Sequence, residues 1–127
     1  MKLAFIVGIG CFLGGISRYL LSSFIQEKTT NIFPYATLSV NLIGCFLIGC
    51  LFGLAEKWEL NLELNLLFIT GLLGGFTTFS AFSVEFFHLF KTGNIELGIT
   101  YVLISVIMGI GFTFLGAWLF GFIPGRV

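Results

Sequence analysis

Four long apolar stretches occupy most of this 127-residue chain and constrain its fold more than any other feature. They cover about residues 3–24, 33–54, 62–90 and 95–123. Each is long enough for the roughly 20 helical residues that cross a bilayer. Only 9% of the residues are charged, against roughly 25% in a typical soluble domain. The sequence therefore predicts an all-α membrane protein, a single four-helix transmembrane domain over residues 1–127.

The third stretch contains a run of glycines and hydroxyl side chains that an ordinary spanning helix avoids. It reads Gly71-Leu-Leu-Gly-Gly-Phe-Thr-Thr-Phe-Ser-Ala-Phe-Ser83. This run predicts a break in the third helix, and broken backbone at membrane depth is tolerated only where protein buries it or a polar cavity meets it. Such breaks place backbone carbonyls and helix ends against ions. The segment therefore indicates ion handling.

The basic residues are balanced between the two sides of a four-span topology. One side carries Lys2, Lys57 and Arg126, and the other carries Lys28, Lys91 and Arg18. The positive-inside rule then gives almost no preferred orientation. Either a small protein simply has few charges, or the chain inserts both ways and works as an inverted pair. Because four short helices enclose little interior, we favour the second interpretation and predict a homodimer.

Small residues recur four apart in three of the stretches. The patterns are Gly10-x-x-x-Gly14, Gly49-x-x-x-Gly53 and Gly71-x-x-x-Gly75. Spacing of this kind lets the backbones of membrane helices approach closely. It predicts tight helix packing, without distinguishing contacts inside one subunit from contacts between subunits.

Two polar side chains lie inside the first two stretches. An ionisable group such as Arg18 is costly in a span and is by default a functional candidate; it is either part of an anion vestibule or an anchor that snorkels to the interface beside Tyr19. Asn41 lies deeper, and its amide offers two donors for a bare anion or a neighbouring carbonyl. The alternative for Asn41 is a hydrogen bond that holds two helices together.

Two phenylalanines in the third stretch are spaced to share one helix face. Phe79 and Phe82 are three apart, and Glu85 continues the same stripe. Ser80 lies in an adjacent polar stripe, and Thr113 puts a hydroxyl deep in the fourth stretch. Because an aromatic ring is positive at its edge, the two rings could hold an anion edge-on while hydroxyls replace its water. Simple packing is the competing interpretation in a chain with 17 phenylalanines.

Two classes of membrane function fit these residues. An ion-conducting pore needs polar donors and no covalent chemistry. A small proton-coupled exporter of organic cations would want a carboxylate deep in a span, typically the first, and residues 3–24 contain none. The sequence offers no activated nucleophile, metal cluster or phosphate loop, so it does not indicate an enzyme. A purely structural subunit would leave Asn41 and the helix break unexplained.

Three motifs together resemble one family. Gly14-Gly-x-x-Arg-Tyr19, Thr37-Leu-x-Val-Asn-x-x-Gly44 and Gly71-x-x-Gly-Gly-Phe-Thr-Thr-Phe-Ser-Ala-Phe82 are similar to the Fluc (CrcB-type) fluoride channels, in order and over most of the chain. The resemblance implies a dual-topology antiparallel homodimer with two fluoride pores and a central structural sodium ion. It also implies passive export of fluoride across a prokaryotic plasma membrane, the inner membrane in a Gram-negative cell. It implies no nucleic-acid partner.

The resemblance also implies roles for individual pore residues. Phe79 and Phe82 match the family's phenylalanine pair, and Asn41 matches its pore asparagine. Ser80 and Thr113 match hydroxyls of a polar track beside the pore. These roles are implied by the family motifs and do not follow from spacing alone.

Residues outside the pore centre are assigned by the same resemblance. The backbone carbonyls of Gly74 and Thr77 match the sodium ligands, in agreement with oxygen ligation of hard cations. Arg18 matches the arginine near the aqueous vestibule, and Glu85 matches an acid at the pore mouth. Ala81 departs from the family pattern, because many members have threonine there; if that hydroxyl contributes to the track, Ser80 and Thr113 must act without it.

Overall fold

The computed structural model describes residues 1–58 and 61–121 of the chain, and within them the structure is all-α. Helix α1 covers Lys2–Lys28 and α2 covers Tyr35–Trp58. The third span runs through Leu62–Lys91 as several pieces, and the fourth is the helix Ile95–Leu119. Four helical spans in the described residues are long and apolar enough to cross a membrane, which confirms the prediction of an all-α protein with four such helices.

The third span is the irregular one. It begins with the short helix α3 (Leu62–Asn65), continues as a π-helical segment (Leu66–Leu73) and returns to α-geometry in α4 (Gly74–Phe76). After two extended residues it resumes as α5 (Phe79–Lys91), so the fourth span is α6. The chain therefore leaves helical geometry inside the predicted glycine and hydroxyl run.

The ends of the spans differ from the predicted limits by a few residues. Helix α1 continues four residues beyond the predicted end, as far as Lys28, before the extended residue Thr29. Helix α2 begins at Tyr35, directly after Pro34, whose ring fixes its own backbone and supplies no N–H. Helix α6 ends at Leu119, and the predicted limit at residue 123 lies outside the described residues.

Close backbone contacts hold the spans together in two pairs. Helix α2 packs along α6, and α1 packs along the π-helical segment. A Cβ atom added at Gly14 would overlap the Leu72 carbonyl oxygen, and one added at Gly49 would overlap that of Thr113. Glycine is therefore required at both crossings, and the close contacts predicted from the Gly-x-x-x-Gly patterns are present within a single subunit.

The small interior lies where α2, α5 and α6 meet. Val40 of α2, Leu89 of α5 and Tyr101 of α6 are the largest fully buried side chains there. Most other large apolar side chains face outward, including Phe5 and Phe12 of α1. An apolar exterior is what a bilayer requires of a spanning protein, so this distribution agrees with the membrane assignment.

Candidate functional site

The break in the third span consists of two extended residues between two helix ends. Thr77 has φ −82° and ψ 156°, and Thr78 has φ −148° and ψ 115°. Thr78 then caps the next helix, because its Oγ1 accepts a hydrogen bond from the Ala81 N–H at 3.2 Å. Threonine is well suited to this position, since its hydroxyl satisfies an N–H that the helix start leaves without a partner.

Asn41 of α2 pairs with both polar groups of Thr78. Its Oδ1 accepts from the Thr78 N–H at 2.9 Å, and its Nδ2 donates to the Thr78 carbonyl at 3.1 Å. The amide thus links two spans, as the helix-linking interpretation of Asn41 predicts. An amide nitrogen carries two hydrogens, and only one is used in this pairing. Asn41 therefore retains one hydrogen for another acceptor.

The break changes the hydrogen bonding of two backbone carbonyls. In a continuous helix the Gly74 carbonyl would accept from the Thr78 N–H, and the Thr77 carbonyl from the Ala81 N–H. The first of these N–H groups donates to Asn41, and the second donates to the Thr78 hydroxyl. Gly74 and Thr77 therefore lose their helical donors, which leaves carbonyl oxygens suited to a hard cation. The predicted sodium ligands fit the local structure.

An open, largely apolar groove of about 380 Å³ runs along the break. Five of the predicted site residues line it: Asn41, Gly74, Thr77, Phe79 and Phe82. Its other walls come from α2, the π-helical segment and α6, through side chains that include Cys45, Ile48 and Val106. The groove thus brings the predicted phenylalanine pair, the amide and the freed carbonyls onto one surface.

The two predicted phenylalanines are neighbours in space. The centroids of the Phe79 and Phe82 rings are 5.5 Å apart, with the rings inclined at 39°. Phe79 is 79% exposed, whereas Phe82 is half-buried and lies with its centroid 5.0 Å from the Tyr101 ring. The pair therefore joins the interior of the subunit to its open face, as an anion path between the two would require.

Glu85 lies one turn further along α5, outside the groove. Its two carboxylate oxygens accept hydrogen bonds from the Thr37 hydroxyl at 2.5 Å and from the Tyr101 hydroxyl at 2.7 Å. Thr37 is 6% exposed, and Tyr101 is fully buried. The carboxylate is thus held at the junction of α2, α5 and α6, and Tyr101 connects it to the Phe82 ring.

Three further predicted site residues lie away from the groove. Ser80 is exposed on α5, and its Oγ is 3.3 Å from the Thr78 hydroxyl oxygen. Thr113 is half-buried, and its hydroxyl donates to the Gly109 carbonyl of its own helix at 3.0 Å. Arg18 is half-buried on α1. Ser80 remains close to the break, but Thr113 and Arg18 are not brought into contact with the phenylalanine pair.

Comparison of the sequence with known proteins identifies a family and several relatives. Residues 5–117 match the family described as CrcB-like protein, Camphor Resistance (CrcB). The chain belongs to the CrcB-like family. A relative from Azobacteroides pseudotrichonymphae is 44% identical over 118 residues, 91% of this chain and 94% of the relative. Another from Aquifex aeolicus is 44% identical over 117 residues, with the same coverage.

The named relatives confirm the resemblance found in the sequence. Both of them, and a third from Phocaeicola vulgatus that is 40% identical over 94% of this chain and 98% of its own length, carry the description "Fluoride-specific ion channel FluC". The family match covers all four spanning regions, from Phe5 in α1 to Ala117 in α6. This CrcB-like chain is accordingly a multi-pass membrane protein.

The hydroxyl of Ser105 was not included in the site that the sequence of this CrcB-like protein predicts. Ser105 of α6 lines the groove, and its buried Oγ has no hydrogen-bond partner among the described residues. Ser105 lies four residues after Tyr101, on the same helix face. That spacing of two polar side chains within an apolar span could have indicated Ser105. In the same way, the position of Thr37 four residues before Asn41 could have indicated a polar contact such as the one with Glu85.

Proposed function

We propose that this CrcB-like protein is a fluoride-selective channel through which cytoplasmic fluoride leaves the cell passively, relieving fluoride toxicity. The observation that carries the proposal is the groove that joins the Phe79–Phe82 pair to the Asn41 amide. The names of relatives that align over nine tenths of the chain support the same ion. A channel needs no reacting group, so the proposal involves no enzymatic step.

The lining suits a small, strongly hydrated anion. Fluoride entering an apolar groove needs donors that replace its water, as filters provide for other ions. The second Asn41 amide hydrogen and the Ser105 hydroxyl are such donors in the groove, and Ser80 adds a hydroxyl beside the break. The ring edges of Phe79 and Phe82 add positive potential. Chloride is larger, so a narrow passage between ring edges excludes it.

The driving force requires no coupling machinery. Hydrogen fluoride enters uncharged from acid surroundings and ionises inside the cell. The membrane potential then moves the anion outward, at about 2.3 kcal/mol per charge per 100 mV. Arg18 contributes positive charge near the aqueous vestibule, and Glu85 is an acid at a pore mouth. Thr113 contributes to the polar track after its hydroxyl turns away from the Gly109 carbonyl.

The working unit is an antiparallel homodimer with two pores. The balanced basic residues support insertion in both orientations. The groove is open on the face where Phe79 is 79% exposed, so a second copy seated there would enclose it. Four spans in one subunit enclose too little space for a sheltered path, which makes the single four-helix domain the repeating half of the channel.

A sodium ion on the dimer axis would be held by backbone oxygens. Gly74 and Thr77 supply two carbonyls from one subunit, fewer than a hard cation needs, and an inverted second copy would supply the matching two. Unwound backbone at a helix break is a recurrent ligand for sodium in membrane proteins. The ion would fix the two breaks against each other and so align the two pores.

Fluoride efflux from liposomes that contain the purified dimer tests the proposal. We expect rapid fluoride release and no comparable chloride release when a potassium ionophore balances the charge. Equal release of the two anions would contradict selectivity, and no release of either would contradict the channel. A proton-coupled exporter would instead require a pH gradient, so efflux without one also rules out that alternative.

A further inference from the structure

We propose that Asn41 and Gly44, one turn apart on α2, are positioning residues that shape the break and so hold the carbonyls of the cation site in place. The inference rests on the sodium site proposed above and gives Asn41 a second task beside the anion path. It also accounts for Gly44, a residue of the Asn-x-x-Gly motif to which the channel mechanism assigns no role.

Asn41 competes with Gly74 for a single N–H group. The Thr78 N–H would complete a helical bond to the Gly74 carbonyl, but it donates to Asn41 Oδ1 at 2.9 Å. The Asn41 Nδ2 bond to the Thr78 carbonyl, at 3.1 Å, fixes the same residue from its other side. Without this amide the N–H can return to Gly74. The helix then extends by one residue, and the cation loses a ligand.

Gly44 provides the space for the neighbouring residue of the break. A Cβ atom added at Gly44 would overlap the Cγ2 methyl of Thr77. Thr77 cannot rotate away freely, because its Oγ1 donates to the Leu73 carbonyl at 3.0 Å and a β-branched side chain has few χ1 positions. The Thr77 methyl group thus packs against Gly44 on one side, and the Thr77 hydroxyl is bonded to Leu73 on the other.

The two contacts act on consecutive residues of the break from one rigid helix. Asn41 and Gly44 are three apart and face the same groove. One anchors Thr78, and the other admits Thr77. The spacing therefore keeps the carbonyls of Gly74 and Thr77 exposed in a fixed direction. Because Asn41 also lines the anion path, the cation site and the path share one side chain.

Sodium-dependent stabilisation of the intact dimer separates this role from anion binding. The protein is purified in N-methyl-D-glucamine chloride, and its thermal unfolding in detergent is followed as sodium chloride is added. Asn41→Ala should raise the sodium concentration that gives half of the stabilisation by about tenfold, which corresponds to about 1.4 kcal/mol, the scale of a lost hydrogen bond. Gly44→Ala should shift it in the same direction, although it leaves the Asn41 amide intact.

Two further variants complete the test. Gly8→Ala is the matched glycine control, because an added Cβ there meets no atom within 4 Å, and its sodium midpoint should equal that of the wild type. Asn41→Asp keeps an acceptor for the Thr78 N–H but loses the donor to the Thr78 carbonyl. We expect an intermediate shift of the sodium midpoint. If Asn41→Ala does not fold, the single variants Asn41→Asp and Gly44→Ala test the positioning role.

The outcomes distinguish this inference from the proposed function. If sodium stabilises the wild type and the midpoints of Asn41 and Gly44 variants do not move, the positioning role is wrong while the sodium site stands. If sodium does not stabilise the wild type at all, the sodium site and this inference both fail. The channel itself is judged separately, from fluoride efflux of the wild-type protein.

Discussion

The two phenylalanine rings beside the break occupy different environments. Phe79 is 79% exposed on the open groove, whereas Phe82 is half-buried against the Tyr101 ring at 5.0 Å. If both ring edges meet the anion, Phe82 does so from inside the subunit and Phe79 from its open face. The environment of Phe79 would therefore change most if a second copy covers the groove as proposed.

Replacing either ring with isoleucine tests the edge contacts. Phe79→Ile and Phe82→Ile keep bulk and apolarity but remove the positive ring edge. Volume-conserving apolar swaps usually cost under about 1.5 kcal/mol, so we expect dimeric protein with fluoride efflux reduced by a large factor. Phe87→Ile, on an exposed position of the same helix and outside the groove, is the control. Near-normal flux in both variants would make the rings packing residues.

At the scale of elements, close backbone contacts between spans determine the architecture. The α2–α6 crossing depends on Gly49, where an added Cβ would overlap the Thr113 carbonyl oxygen. The α1 crossing depends on Gly14 in the same way. Neither oxygen can move without displacing its helix, because both belong to the backbone. The α2–α6 pair also supports Asn41 and Ser105, so its geometry bears on the groove.

Gly49→Ala should therefore destabilise the protein. Overpacking of a close contact typically costs about 1–3 kcal/mol, and we expect a lower thermal midpoint in detergent with loss of fluoride efflux as α2 moves away from α6. Gly111→Ala on α6 is the control, because an added Cβ there meets nothing within 4 Å. Equal midpoints for the two variants would show that the α2–α6 crossing tolerates a methyl group.

The break could be predicted from the sequence, but its hydrogen bonds could not. A run of glycine and threonine at membrane depth is unusual enough to locate non-helical backbone at Thr77 and Thr78. That Asn41 pairs with both polar groups of Thr78 depends on how two distant spans are placed, which local sequence does not encode. Thr113 shows that the depth of a hydroxyl in a span does not by itself identify a pore donor, because the hydroxyl can donate to its own helix.

At the scale of the whole molecule, the proposed channel depends on insertion in both orientations. In a background with Cys11, Cys45 and Cys50 replaced by alanine, Asn31→Cys places one thiol in the exposed α1–α2 loop without changing the basic residues. We expect a membrane-impermeant reagent to label this thiol from either side of the native membrane. Labelling from one side alone would contradict the dual topology and, with it, the antiparallel dimer.

The reversal potential of single dimers in a planar bilayer tests the central claim most directly. With a tenfold fluoride gradient and equal chloride on both sides, a passive fluoride-selective path should carry current that reverses near the fluoride equilibrium potential, about 59 mV in magnitude for one charge. Reversal near zero would mean that chloride or another symmetric ion carries the current. That result, or the absence of any fluoride current from well-folded dimers, would contradict the account.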